Sequence, residues 1–179
     1  AVADMSALLW SSHKGVARQA AAALSKIHSE AALDGLLSVL AGGQPELKWN
    51  IVEALGELGR EEAIDALAQF IHDPDHDVRW SVARAFGLIA SRKSVPPLVK
   101  MLQDADKQVR SLAASSLGQL GFPEVVNPLL KTLNDPESDV AWSAAEALAD
   151  IGDPVALQQL KKYLPQMDPE LAERFSERL

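Results

Sequence analysis

The chain has 179 residues, of which 47% are hydrophobic but only 5% aromatic, and it carries a formal net charge of -8. This negative balance works against nonspecific binding to nucleic acid phosphates or an anionic membrane surface, and it favours a basic or neutral protein partner. Because there is no cysteine, disulfides, thiolate metal sites and thiol nucleophiles are excluded.

Neither a transmembrane segment nor a signal peptide is visible in the sequence. No apolar run reaches the ~20 residues that a transmembrane helix needs, and no basic segment followed by an apolar one opens the chain. We therefore expect a soluble, cytoplasmic protein. The chain begins at Ala1, so a piece of a longer protein and a processed product both stay open at this stage.

Apolar residues recur through the whole chain at a constant step of 31 residues, in two sets per step, which predicts two helices in each unit. The first set is Leu36, Leu67, Leu98, Leu129 and Leu160. The second set is Val16, Leu47, Val78, Val109 and Val140, with Leu24, Leu55, Phe86, Leu117 and Leu148 eight residues further along. Six helical pairs are predicted in a single repeat domain over 1–179, at about 1–28, 29–59, 60–90, 91–121, 122–152 and 153–179.

Turn residues agree with these boundaries. In the third pair Pro74 is expected to end one helix, and Asp77 is expected to cap the amides of the next. Pro136 and Asp139 repeat this arrangement in the fifth pair. Left-handed residues that end the second helices are predicted at Gly59, Gly121 and Gly152.

The runs "DPDHDVRWSVARAFGLIA" and "DADKQVRSLAASSLGQLG" resemble the short, phycobilisome-lyase-like form of the HEAT repeat. The resemblance covers nearly the whole chain. It implies an all-α fold, an α-solenoid that curves into a superhelix, with the second helix of each pair lining the concave face. It also implies a scaffold or binding role, because HEAT arrays serve mostly as binding surfaces.

Two positions of each second helix point away from its apolar side. Counting Val16 and its equivalents as position 1, positions 1, 5, 8, 9 and 12 cluster as the core, whereas positions 3 and 7 lie on the opposite face. Position 3 holds Arg18, Trp49, Trp80, Ser111 and Trp142, and position 7 holds Ala22, Glu53, Arg84, Ser115 and Glu146.

Exposed aromatic residues at a repeated position are candidate anchors for a partner, since Trp and Arg dominate interface energetics. The predicted partner-binding residues are Trp49, Glu53, Trp80, Arg84, Ser111, Ser115, Trp142 and Glu146. The alternative interpretation is that each indole lies flat over the adjoining repeat, with Arg84 stacked on Trp80.

The remaining charged groups are interpreted as structural or solvated. Arg79 and Arg110 are expected to pair with the recurring turn residues Asp73, Asp104 and Asp135 and so connect successive repeats. His72 and His76 have the four-residue spacing of a zinc pair, but Pro74 interrupts any helix that would align them. No catalytic residue, metal ligand or cofactor is therefore predicted.

The function predicted from the sequence is a module that binds a protein or peptide and neither nucleic acid nor membrane, with its oligomeric state open. The resemblance leaves a chromophore-handling subunit of a phycobilin lyase as the main alternative. A HEAT-like DNA glycosylase is a remote one: Trp49 with Glu53, and Trp142 with Glu146, are similar to its tryptophan and carboxylate arrangement, but the acidic balance disfavours it. Deoxyhypusine hydroxylase activity is excluded, because the adjacent His-Glu pairs that mark that family do not occur.

Overall fold

The structure is a computed structural model that describes residues 2–42, 44–166 and 172, and every element in this part of the chain is helical. The α-helices are α1 (Val2–Leu8), α2 (Lys14–Leu24), α3 (Glu30–Ala41), α4 (Lys48–Leu58), α5 (Ile64–Leu67), α6 (His76–Ile89), α7 (Val95–Met101), α8 (Lys107–Leu120), α9 (Val126–Thr132), α10 (Ser138–Ile151) and α11 (Pro154–Tyr163). Short 3₁₀ turns are Pro45–Leu47, Glu61–Ala63, Ala68–Phe70, Arg92–Ser94, Pro123–Val125 and Leu164–Gln166. None of the helices described is both long and apolar enough to cross a membrane.

The chain divides into two compact units, Ala1–Ser94 and Val95–Leu179. In the first unit, α1 packs on α2 and α3 on α4 as successive pairs, while α1 packs on α3 and α4 packs on both α2 and α6. The first helices of the pairs therefore form one layer and the second helices another.

The second unit repeats this arrangement. Here α7 pairs with α8 and α9 with α10, α8 packs along α10, and α9 contacts α11. The all-α class and the helical pairs predicted from the sequence are confirmed for the described residues. The second helix predicted within 153–179, with apolar residues expected at Leu171, Phe175 and Leu179, lies outside them apart from residue 172. The prediction of one domain over 1–179 stays a prediction.

The core of each unit consists of apolar residues that repeat at the 31-residue step. In the first unit Leu24, Leu55 and Phe86 from successive second helices are fully buried, and in the second unit Leu117 and Leu148 are. The matching residues of the first helices are also fully buried: Leu36, Leu67, Leu98, Leu129 and Leu160. The predicted core positions are thus confirmed where a neighbouring pair covers them.

The first helical pair departs from this prediction. Val16 is 41% exposed and Ala23 is also exposed, although both occupy predicted core positions. In the next pairs the equivalent positions pack against the preceding second helix: Ala85, for example, lies opposite Gly56. No described helix lies in that place for α2, so the prediction that Val16 is buried is wrong.

Helix ends follow the predicted turns except at the N-caps of α6 and α10. The cap of α6 is Asp75, which accepts a hydrogen bond from the amide of Asp77 at 2.9 Å, so the predicted capping role of Asp77 is wrong. In α10 the cap position is held by Glu137, not Asp139. The predicted left-handed residues are confirmed, with φ values of 70°, 64° and 67° at Gly59, Gly121 and Gly152.

A largely buried ion pair connects successive repeats of the second unit. Arg110 donates from Nε and Nη2 to the two carboxylate oxygens of Asp135 at 2.8 and 2.9 Å, and from Nη1 to the carbonyl of Asp104 at 2.8 Å. The first unit has a related pair, in which Lys48 donates to Asp73 at 2.6 Å. The predicted structural role of Arg110 with the turn aspartates is confirmed.

Candidate functional site

The outward positions of the second helices place two tryptophans side by side in the first unit. Trp49 on α4 and Trp80 on α6 are each 38% exposed. Together with Asp77 and Ser81 they line a shallow cavity of about 250 Å³. Their position follows from helical geometry, because position 3 lies on the side of the helix opposite the apolar positions. The predicted partial exposure of these two rings is confirmed.

An ion pair connects the same two helices one turn further along. Arg84 Nη1 donates to Glu53 Oε1 at 2.6 Å, between residues 31 apart in sequence. Arg84 thus pairs with Glu53 rather than with the ring of Trp80, which differs from the stacked arrangement considered from the sequence. Because both side chains stay partly exposed to solvent, the pair contributes little to stability; its main effect is that the two charges on this surface neutralise each other.

A second ion pair connects the same face of α4 to the preceding repeat. Glu57 accepts hydrogen bonds from Lys26 Nζ at 2.9 Å and from Ser25 Oγ at 2.8 Å. These two donors hold the pKa of Glu57 below its ordinary value. Both carboxylates on the outward side of α4 are therefore paired with cations of the adjoining repeats: Glu53 with Arg84 on α6, and Glu57 with Lys26 in the turn after α2.

The equivalent face of the second unit is formed by α8 and α10. Ser111 and Ser143 share a hydrogen bond of 2.7 Å between their Oγ atoms, and Ser143 also donates to the carbonyl of Asp139 at 3.0 Å. Trp142 is half-buried on α10, and Glu146 lies one turn after it. Partial exposure of the third tryptophan is thereby confirmed as well.

A polar groove of about 440 Å³ lies between α8 and α10, lined among others by Ser115, Gln119, Glu146 and Asp150. The two helices approach closely at Gly118, where an added Cβ would lie only 2.5 Å from the Cβ of Ala147. Glycine at this position permits the close contact, and the side chains on either side of it then form the walls of the groove.

The structure places the eight predicted partner-binding residues in two groups. Trp49, Glu53, Trp80 and Arg84 share the α4 and α6 face of the first unit, and Ser111, Ser115, Trp142 and Glu146 share the α8 and α10 face of the second. Asp77 and Ser81 in the first unit, and Gln119 and Asp150 in the second, were not predicted. The sequence could have identified them, because each lies three or four residues from a predicted residue on the same helix and therefore on the same face.

The histidines of the "HDPDHD" turn lie in separate surroundings. His72 is exposed before α6, and His76 is the first residue of α6, with Nδ1 3.4 Å from the Asp77 carboxylate. Across the described ranges, no group of three or more His, Asp or Glu side chains is arranged to hold a metal ion.

Paired helices whose equivalent residues pack at a fixed step define a helical repeat protein of the solenoid class. A family model of HEAT repeats matches residues 33–106 and 95–174, which is more than half of the chain. The chain belongs to the HEAT repeat family.

Solved structures with the same fold include natural and designed proteins. The complex of CpcE and CpcF of phycocyanin lyase from Nostoc matches with 27% identity and a TM-score of 0.69, over 96% of this chain and 73% of that one. A designed armadillo repeat protein in complex with a (KR)4 peptide matches with 22% identity and a TM-score of 0.68, over 99% and 98% of the two chains. An engineered protein matches with 23% identity and a TM-score of 0.65, over 99% and 94%. No curated protein sequence matches the chain.

Proposed function

We propose that this chain is a protein- or peptide-binding module whose contact surface is the outward face of its second helices. The observation that carries the proposal is the pair of exposed indoles, Trp49 and Trp80, which line one cavity from adjacent helices. HEAT repeats are a fold that serves mostly as a scaffold or binding surface, and the proposal assigns no catalytic step to this chain.

The indoles have the properties of interface anchors. Each ring is already more than half covered by its own unit, so binding would immobilise little additional side-chain freedom. The part that remains exposed is large, rigid and apolar, and tryptophan is among the residues most enriched at energetic centres of interfaces. Together the two rings offer a partner an apolar anchor site of preformed shape.

Polar groups around the indoles can orient a bound partner through hydrogen bonds. Asp77 lies at the same cavity, and its exposed carboxylate can accept hydrogen bonds from the partner. The Ser81 hydroxyl, in contrast, already donates to the Asp77 carbonyl at 2.8 Å. A few acceptors beside an apolar anchor are typical of a surface that recognises a polypeptide.

The experiment is affinity capture from a lysate of the source cells, with the intact chain compared with a W49A/W80A/W142A variant. Trp10 provides a matched control, because it is 50% exposed but lies outside the outward face of the second helices. We expect a specific protein to be recovered by the intact chain and by W10A and to be lost with the triple variant. Equal recovery by the folded triple variant would contradict the proposal.

A second candidate function is a subunit that handles a tetrapyrrole chromophore. The likeness to the phycocyanin lyase complex, at 27% identity over 96% of this chain, is the observation that favours it. Co-expression with a bilin supply, followed by absorption spectroscopy of the purified chain, separates the two candidates. A stoichiometric visible absorption band would support the lyase-like role, and a colourless chain that retains its protein partner would support the binding module.

A further inference from the structure

The first helical pair exposes apolar residues at positions that are buried in the pairs after it. Val16 is 41% exposed, whereas its equivalents one and two repeats later, Leu47 and Val78, are 1% and 2% exposed. Leu8 on α1 is 46% exposed, whereas its equivalent Val39 on α3 is 1% exposed. Both helices of the first pair therefore present core-type side chains to solvent.

These side chains border one cavity, which is formed by α1, α2 and the turn that joins them. Its volume is about 740 Å³, and its apolar walls include Met5, Leu8, Val16, Ala20 and Ala23. Apolar residues grouped in one exposed concavity mark an interaction site, whereas apolar residues scattered singly over a surface do not. We call this cavity and its rim the α1 and α2 surface.

The stack itself shows what kind of structure covers such a surface. On the corresponding side α4 is packed against α2, and α6 is packed against α4. Where α4 and α6 meet, small residues face each other, and a Cβ added to Gly56 would lie 2.8 Å from the Cβ of Ala85. Ala23 has on α2 the place that Ala85 has on α6, and it is exposed. The α1 and α2 surface is thus shaped to receive an α-helix with a small residue at the contact.

The charges around this surface are basic, unlike those of the chain as a whole. Residues 5–29 contain no Asp or Glu, although the chain has 25 acidic residues against 17 Lys and Arg. Lys14 borders the cavity, and Arg18 lies one turn further along α2, also exposed. Glu46 lies 3.6 Å from Lys14, but both side chains are largely exposed, so this pair holds Lys14 only weakly. A helix that carries carboxylates beside its apolar side complements these groups.

We propose that the α1 and α2 surface binds an acidic amphipathic α-helix of another protein. The helix lies along α2 as α2 lies along α4, with a small residue opposite Ala23 and carboxylates beside Lys14 and Arg18. A second copy of the chain is disfavoured, because symmetric packing through α2 would bring the basic groups of the two copies together. The inference goes beyond the proposed function and does not depend on it, since the outward tryptophans take no part.

The test is a fluorescence anisotropy titration of the intact chain with a labelled acidic helix. Residues 137–151 of this chain provide the probe sequence, because they form an alanine-rich helix with its cap and contain four acidic residues and no basic one. A hydrocarbon staple keeps the peptide helical, since isolated helices of this length are marginal in water. The comparison peptide has Asn and Gln in place of Asp and Glu. We expect the acidic peptide to bind at least about tenfold more tightly, with a preference that weakens as salt is added.

Two substitutions locate the binding on the α1 and α2 surface. Val16→Glu places a carboxylate in the apolar wall and is expected to weaken binding of the acidic peptide by about tenfold. Lys14→Gln removes a positive charge from the rim and is expected to weaken it by about threefold. The matched controls are Val155→Glu at an exposed valine of α11 and Lys100→Gln at an exposed lysine of α7, and both are expected to have little effect.

The inference is overturned if the two peptides bind equally, or if Val16→Glu, shown by circular dichroism to be folded, binds the acidic peptide as tightly as Val155→Glu does. Analytical ultracentrifugation tests the alternative occupant. A dimer of the intact chain that is lost in Val16→Glu would assign the surface to a second copy and would also overturn the inference. The variant W49A/W80A/W142A is expected to bind the peptide as the intact chain does, and loss of binding in that variant alone would assign the peptide to the outward face instead.

Discussion

The close approach of α8 and α10 at Gly118 gives a prediction whose magnitude follows from geometry. In Gly118→Ala, the new Cβ would lie 2.5 Å from the Cβ and 2.8 Å from the Cα of Ala147. Carbon atoms in contact are normally about 3.5–4.0 Å apart, so α8 and α10 would have to separate by about 1 Å. One of the two atoms is backbone, so no rotamer change can relieve the contact.

Two opposing effects set the expected change in the free energy of unfolding. Overpacking of this kind costs roughly 1–3 kcal/mol. Replacing a glycine within a helix by alanine contributes about 1 kcal/mol of helix propensity in the other direction. The net result for Gly118→Ala is a loss of about 1 kcal/mol.

Urea unfolding monitored by circular dichroism measures this change, and the chain offers an internal control. Gly15 lies in the first turn of α2, and a Cβ added there meets nothing within 4 Å. Gly15→Ala is therefore expected to stabilise the protein by about 0.5 kcal/mol. If Gly118→Ala were as stabilising as Gly15→Ala, the close contact between α8 and α10 would be refuted.

Three further predictions concern the ion pairs. Asp135→Asn should lower the free energy of unfolding, measured in urea, by roughly 3 kcal/mol, because it leaves the largely buried Arg110 without its anion. Glu137→Gln, at an exposed pair, should lower it by less than about 1 kcal/mol. Burial acts to raise the pKa of Asp135, but hydrogen bonds from Arg110 and the Glu137 amide outweigh it and lower the pKa. The ion pair of Asp135 should therefore contribute its full stabilisation above the ordinary aspartate pKa of about 3.9, and this contribution should be lost as the pH falls through the lower folded-state pKa. The free energy of unfolding, measured as a function of pH, tests this. A double-mutant cycle on Glu53 and Arg84 should give a coupling of about 0.5 kcal/mol, and a value above about 2 kcal/mol would contradict their partly exposed setting.

The regular part of the fold could be predicted from the sequence because one period controls it. A 31-residue step shows which residues of each helix share the core, and a position on the opposite side of the apolar arc is exposed by geometry alone. The repeat position alone therefore predicted that Trp49 and Trp80 are exposed and that Leu55 and Phe86 are buried.

Other features depend on neighbours that the period does not specify. Val16 has the sequence of a core residue, but no helix among the described residues covers it, whereas Val78 is buried; periodicity cannot report that difference. Arg84 pairs with Glu53 because two long side chains adopt compatible conformations, which spacing alone does not determine. The groove that Ser115 and Glu146 line is likewise not specified by the period, because it depends on how closely α8 and α10 approach each other at Gly118.

The central claim, that the outward tryptophans bind a partner, is tested most directly by Trp80→Ala. The affinity for the captured protein and the free energy of unfolding are measured on the same preparation. Since the ring is 38% exposed, truncation should cost less stability than the about 3–5 kcal/mol of a buried tryptophan. We predict a loss of affinity of about 30-fold, corresponding to an anchor worth about 2 kcal/mol. A loss of about 3 kcal/mol or more in stability with unchanged affinity would contradict the account.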